Sequence, residues 1–158
     1  MSQNPLVAQM SVSKEYFDRS TRCFTEADSG FAPKEGMLTV AGHIAHVAQT
    51  VEWFLEGAFR PEGFDLDFER FDAEVRQVTS LAEARARLDR AFANAARVLG
   101  EKSAADLEAA LPEGPIMGGL PRAAIVPALA DHTAHHRGAL TVYARHCGHV
   151  PAMPYMEM

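Results

Sequence analysis

Five of the chain's seven histidines fall in two short runs, His43 with His46 and His132 with His135 and His136. A pair spaced i, i+4, such as His132 and His136, projects from one face of a helix about a turn apart. Two neutral imidazoles on one helix, joined by a third from a facing helix, can hold a divalent metal on three sides. An imidazole buried in an apolar stripe without a partner costs ~1–3 kcal/mol. The competing reading, a pair of core histidines hydrogen-bonded to carbonyls, needs no ion. Spacing alone does not decide between the two.

Better-known catalytic patterns are absent. The run His132-Thr133-Ala134-His135-His136 lacks the glutamate of a zincin helix, and no acid stands three residues before any histidine, as carboxylate di-iron bundles require. There is no G-x-S-x-G, no P-loop and no G-x-G-x-x-G, and Gly118-Gly119 lacks the Lys-Ser/Thr of a phosphate cradle. Fifteen Lys and Arg against 21 Asp and Glu give a net charge of −6, which disfavours nucleic-acid binding. The densest basic group, Arg85, Arg87 and Arg90, is interleaved with Glu83 and Asp89. Cys23 and Cys147 have no spacing that suggests a disulfide framework or a thiolate zinc site. The longest uncharged stretch, Gly36 to Val51, contains two histidines, a glutamine and two threonines and is no membrane span. The first residues show no basic segment followed by an apolar run, so no secretory signal is expected and the cytoplasm is the expected compartment.

Four long helical patterns must position these residues. The first starts at an Asn4 cap with Pro5 at the first helical position and fades at Ser29-Gly30. The second runs from Thr39 to Ala58 on a stripe of Val40, Ile44, Val47, Val51, Phe54 and Leu55. A long, partly helical connection rich in aromatics and acids follows, from Phe59 to Val78. Ser80 with Glu83 forms a capping box for the third helix, whose face is Leu81, Ala84, Leu88, Ala91, Ala95 and Val98, with Gly100 placed to end it. After a turn at Ser103–Leu111 and a Gly/Pro loop, the fourth helix runs from Pro121 to His146, with Pro127 expected to kink or restart it. The absence of strand-like alternation and a length of 158 residues predict a single all-α domain over 1–158, a four-helix bundle with one long crossover.

The run from Asp131 to Leu140, DHTAHHRGAL, followed by Tyr143, Arg145, Gly148 and Pro151, resembles the C-terminal signature of the DinB/YfiT-like superfamily. The run Gly42-His43-Ile44-Ala45-His46-Val47-Ala48-Gln49, leading to Glu52-Trp53-Phe54-Leu55, resembles that family's second-helix motif. The resemblance implies a four-helix bundle, frequently dimeric, with a divalent metal on three histidines. It also implies an activity among metal-dependent hydrolases or transferases of low-molecular-weight thiols. Carried over by residue, the implied ligands are His46, His132 and His136. Periodicity favours His43 instead, since it lies about 40° from Val47 on a helical wheel and His46 about 100°. The seven-residue step from His46 to Trp53 follows the family, and His43 is the reserve.

His135 is expected to turn away from the metal. Gln49 is a candidate to orient an imidazole, Arg137 to form a salt bridge or steer an anion, and Gly138 to allow close helix approach. Trp53, Phe17 and Phe24 are expected in the core, and His146 and His149 in solvated or capping roles. The tail from Pro151 to Met158 could reach the mouth of the site. Three neutral ligands suit zinc or nickel foremost, with iron or manganese as further candidates. Such an open centre predicts a metal-dependent hydrolase or thiol S-transferase acting on a small thiol or electrophile, and the resemblance, with the aromatic-rich connection containing Phe64, Phe68 and Phe71, implies a homodimer. The alternative class is a non-catalytic metal-binding or stress-response protein.

Overall fold

The computed structural model describes residues 4–156. Helix α1 spans Pro5–Thr21, α2 Val40–Phe59, α3 Phe68–Arg76, α4 Leu81–Glu101, α5 Ala104–Glu108 and α6 Ile125–His146. Helices α1, α2, α4 and α6 form the bundle. Helix α1 packs on α4 and α6, and α2 packs on the same two. Consecutive α1 and α2 therefore stand on a diagonal of the bundle.

Side-chain contacts fix the directions. The Asn4 amide reaches Leu99 O at the far end of α4, and Arg85 donates to Thr21 O at the near end, so α1 and α4 are antiparallel. Arg87 pairs with Glu52, and Lys102 lies over the Phe59 ring, so α2 and α4 are parallel. Tyr143 donates to Leu38 O while Thr50 lies beside His132, so α2 and α6 are antiparallel. The order is up, down, down, up. The parallel α2–α4 pair is what makes the long 60–80 crossover necessary, and α3 lies within it.

Five helices open on a side-chain cap. Asn4, Thr39, Asp67, Ser80 and Ser103 accept hydrogen bonds from backbone N–H groups of the first turn of α1, α2, α3, α4 and α5. At α4 the expected reciprocal bond from Glu83 is replaced by a long-range one. The Glu26 carboxylate accepts from Leu81 N and Ala82 N, each at 3.0 Å. These bonds to free helix N–H groups hold the exposed Glu26 carboxyl below its ordinary pKa.

Helix α1 stops at Thr21, short of Ser29-Gly30, because Thr25 and Asp28 cap a separate 3₁₀ turn at Glu26–Asp28. Phe24, beyond the helix, is still buried. Gly100 lies inside α4, where Leu99 rather than Val98 is fully buried. Pro127 does not kink a longer helix. A 3₁₀ turn at Arg122–Ala124 precedes α6, which places Pro127 in the first α-helical turn, where its missing N–H costs nothing.

Helix α2 is buried on nearly all sides, since α4, α6 and α3 surround it. Two glycines allow the crossover to lie against it. A Cβ at Gly42 would stand 3.0 Å from Val75 O, and one at Gly57 would stand 2.2 Å from the Phe64 ring. The core also takes Phe17, Met10, Leu88, Leu99, Leu129 and Leu140, all essentially solvent-free.

Candidate metal centre

The antiparallel α2–α6 pair brings the two histidine runs face to face. His132 and His136 share the inner face of α6, one turn apart, and meet His46 from α2. One potential ligand atom from each of His46, His132 and His136 lies within 4.8 Å of the others, a spread that a single ion can span. His136 Nε2 and His132 Nε2 are 3.0 Å apart. No carboxylate or thiol belongs to the group.

His43 lies beside these three. Its Nε2 is 2.6 Å from His136 Nδ1, and its ring packs edge-on against Tyr143. A hydrogen on His136 Nδ1, donated to His43, leaves the His136 Nε2 lone pair free for an ion. In that tautomer His43 would hold the ring angle of His136 in the way outer partners of metal-bound histidines do. Replacing His43 with alanine is expected to lower divalent-metal affinity about 10–100-fold, read by chelator competition. Unchanged affinity would show that His136 is oriented without it.

The four rings are held neutral. Burial is the leading cause, and it lowers the pKa of His43 and of His132 to about 4, with neighbouring imidazoles adding to the effect. His136 is pushed lower still by burial and by His132, His43 and His46 around it. His46 is lowered by burial, against the opposing field of Asp72. Neutral imidazole is the form that binds a metal. His43 Nδ1 and His132 Nδ1 are buried with no hydrogen-bond partner, polar capacity that the apolar core leaves unused. An all-imidazole donor set suits zinc, nickel, iron or copper better than calcium or magnesium.

The pKa directions have a stability consequence for metal-free protein. Between about pH 6.5 and 4 the unfolded chain takes up protons that the folded site refuses. Stability of metal-free protein is therefore expected to fall as pH drops through this window, by ~1.4 kcal/mol per pH unit for each histidine kept neutral. Urea denaturation at stepped pH checks it. A flat profile between pH 6.5 and 4 would contradict the buried, neutral cluster.

Beside the histidines lies a cavity of about 220 Å³. His46 and His132 form its inner wall, Trp53, Phe54, Phe68 and Phe71 most of the rest, with Gln49 and Thr50 between them. The Trp53 indole N–H donates to Asp65 O at 2.7 Å, which pins its ring as a wall rather than as part of the core. Gln49 does not orient an imidazole. Its amide donates to Phe71 O and to Glu74 Oε2, tying α3 to α2.

The other expected roles divide. His135 is exposed and stands outside the converging group, its ring against the edge of His136. Among the described residues Arg137 has no salt-bridge partner; its guanidinium lies near the Tyr16 and Tyr155 rings, on the α1–α6 side. Gly138 is exposed, and a Cβ there would meet nothing, so it permits no helix contact. His149 bonds Asp28 at 2.8 Å, and His146 stacks on Phe31. The tail does not reach the cavity. Ala152 O and Pro154 O accept from Ser20 and Arg19 of α1, and Tyr155 packs on Tyr16. Residues 157 and 158 lie outside the described residues. The α4 cap by Glu26 and the His43–His136 contact carried no local sequence signal, because both depend on how distant segments meet.

Fold and site together define a class of helical bundle with a histidine cluster on two facing helices. The model of the DinB superfamily matches residues 9–140, and the chain belongs to that superfamily. Among solved structures, YfiT from Bacillus subtilis matches with a TM-score of 0.71 at 12% identity, over 94% of this chain and 91% of that one. YfiT is described as a probable metal-dependent hydrolase with an unusual four-helix bundle topology. No curated protein matches the sequence. Among the described residues, no helix is long and apolar enough to cross a membrane.

Proposed function

We infer that this protein is a metal-dependent hydrolase whose ion is held by His46, His132 and His136. The observation that carries the reading is the convergence of three uncharged imidazoles, with no carboxylate among them, two of which stand in the wall of an apolar cavity. A divalent ion on these ligands would keep its full charge and an open position, and so supply Lewis acidity able to activate a water near neutral pH. The residues of the chain do the rest. His46 and His132 face the cavity directly, His136 behind them is steadied by His43, and the aromatic walls exclude bulk water. Thr50, which donates to His46 O and lies 3.5 Å from His132 Nε2, is a hydroxyl beside both the ligands and the cavity.

Hydrolysis of a neutral aryl ester by protein loaded with zinc, nickel or cobalt tests this reading. Turnover that needs the ion and disappears in His136→Ala supports it, and turnover indifferent to both refutes it. The same uncharged ligand set favours a second reading, thiol transfer, because it would also stabilise a thiolate. Sulfur-to-metal charge-transfer absorption on adding a small thiol to cobalt-loaded protein, without ester turnover, would select it. A homodimer and a cytoplasmic location belong to the proposal. The exposed Leu66 on the crossover supports the dimer, and light scattering at micromolar concentration giving a single-chain mass would remove it.

A further inference from the structure

We propose that the substrate of this centre carries a compact, uncharged aromatic or apolar group, which seats in the cavity between α2 and α3 while its reactive end turns toward His46 and His132. The proposal rests on the functional reading above for the reactive end, and on the cavity alone for the seated group.

The cavity has room for a ring-sized group, about 220 Å³, and no Lys, Arg, Asp or Glu lines it. Its polar atoms are largely spoken for. The Gln49 amide donates to Phe71 O and Glu74, and the Thr50 hydroxyl donates to His46 O. Away from the His46 and His132 end, a charged substituent would lose its hydration among aromatic walls and find no charged partner in return. The arginines of α3 and Arg87 of α4 do not supply one. Arg70 is taken by Asp65, Asp67 and Glu74, Arg76 by Asp72, and Arg87 by Glu52. Recognition of a carboxylate or phosphate ordinarily needs such a guanidinium free. Phe68 points the same way: it lines the cavity and is nevertheless 55% exposed, an aromatic surface that a seated ring would cover.

Trp53 is the chain's one tryptophan and stands in the cavity wall, so its fluorescence reports occupancy. The test titrates metal-free protein with 4-nitrobenzyl alcohol and with 4-nitrobenzoate, matched rings that differ in charge. The neutral probe is expected to quench saturably and to bind at least ten-fold more tightly than the anion. In Phe68→Ala, a change at an exposed position, its binding is expected to weaken several-fold with the thermal midpoint unchanged. Linear quenching by both probes, equal or tighter binding of the anion, or saturable quenching unaffected by Phe68→Ala would each overturn the proposal. Because no ion is present, these results are independent of whether the histidines hold a metal. Loss of metal binding with retained probe binding would remove the hydrolase reading and leave the seated group in place.

Discussion

His132→Ala is expected to reduce divalent-metal affinity by more than ~100-fold, beyond what loss of an outer-sphere partner produces. His132 sits at the junction of the site, with Nε2 3.0 Å from His136 Nε2 and a ring that meets both His46 and the cavity. Removing it leaves two of the three ligands and no carboxylate in the group to replace the third. The fold should survive, because the lost side chain is only half-buried and the α6 core residues Leu129 and Leu140 are untouched. Chelator competition reads the affinity, and far-ultraviolet circular dichroism confirms the helices. Wild-type affinity in a folded His132→Ala protein would show that the ion, if bound, sits elsewhere.

Phe17→Ala is the largest expected effect on stability. Phe17 is a fully buried side chain on α1, the helix whose two neighbours are α4 and α6. Truncating a buried phenylalanine costs ~3–5 kcal/mol through lost transfer energy and the cavity left behind. Against a typical total of about 5–15 kcal/mol, this should bring the chain near its folding limit. Urea denaturation should show a lower midpoint with little change in slope. A loss under ~1 kcal/mol would contradict the packing of α1 described above.

Local chemistry made the helices legible. Asn4-Pro5, Thr39 and Ser80 open helices where the sequence places caps, since each cap acts on N–H groups only two or three residues away. Helix ends were less legible: Thr25 and Asp28 break the first pattern early by forming a turn that hydrophobic periodicity does not register. At the site, spacing alone placed His132 and His136 on one face of α6. The choice between His43 and His46 could not be read this way, because both face α6: periodicity marks the more deeply buried His43, while His46 also opens onto the cavity. Trp53, expected in the core, became a cavity wall because α3 and the residues before it stand off from α2 there, a spacing set by Gln49 and the Asp65 carbonyl rather than by any motif. The aromatic partners of Arg137 were not legible for a related reason, since they come from α1 and the tail.

The central claim is that three histidines hold one divalent ion. X-ray absorption spectroscopy with elemental analysis, on protein purified without an immobilised-metal column, tests it most directly. The expected result is about one equivalent of a transition metal per chain, with a nitrogen-dominated shell showing the multiple scattering of imidazole. Protein that carries no ion and takes up none, or an ion surrounded by oxygen or sulfur without imidazole, would contradict the account.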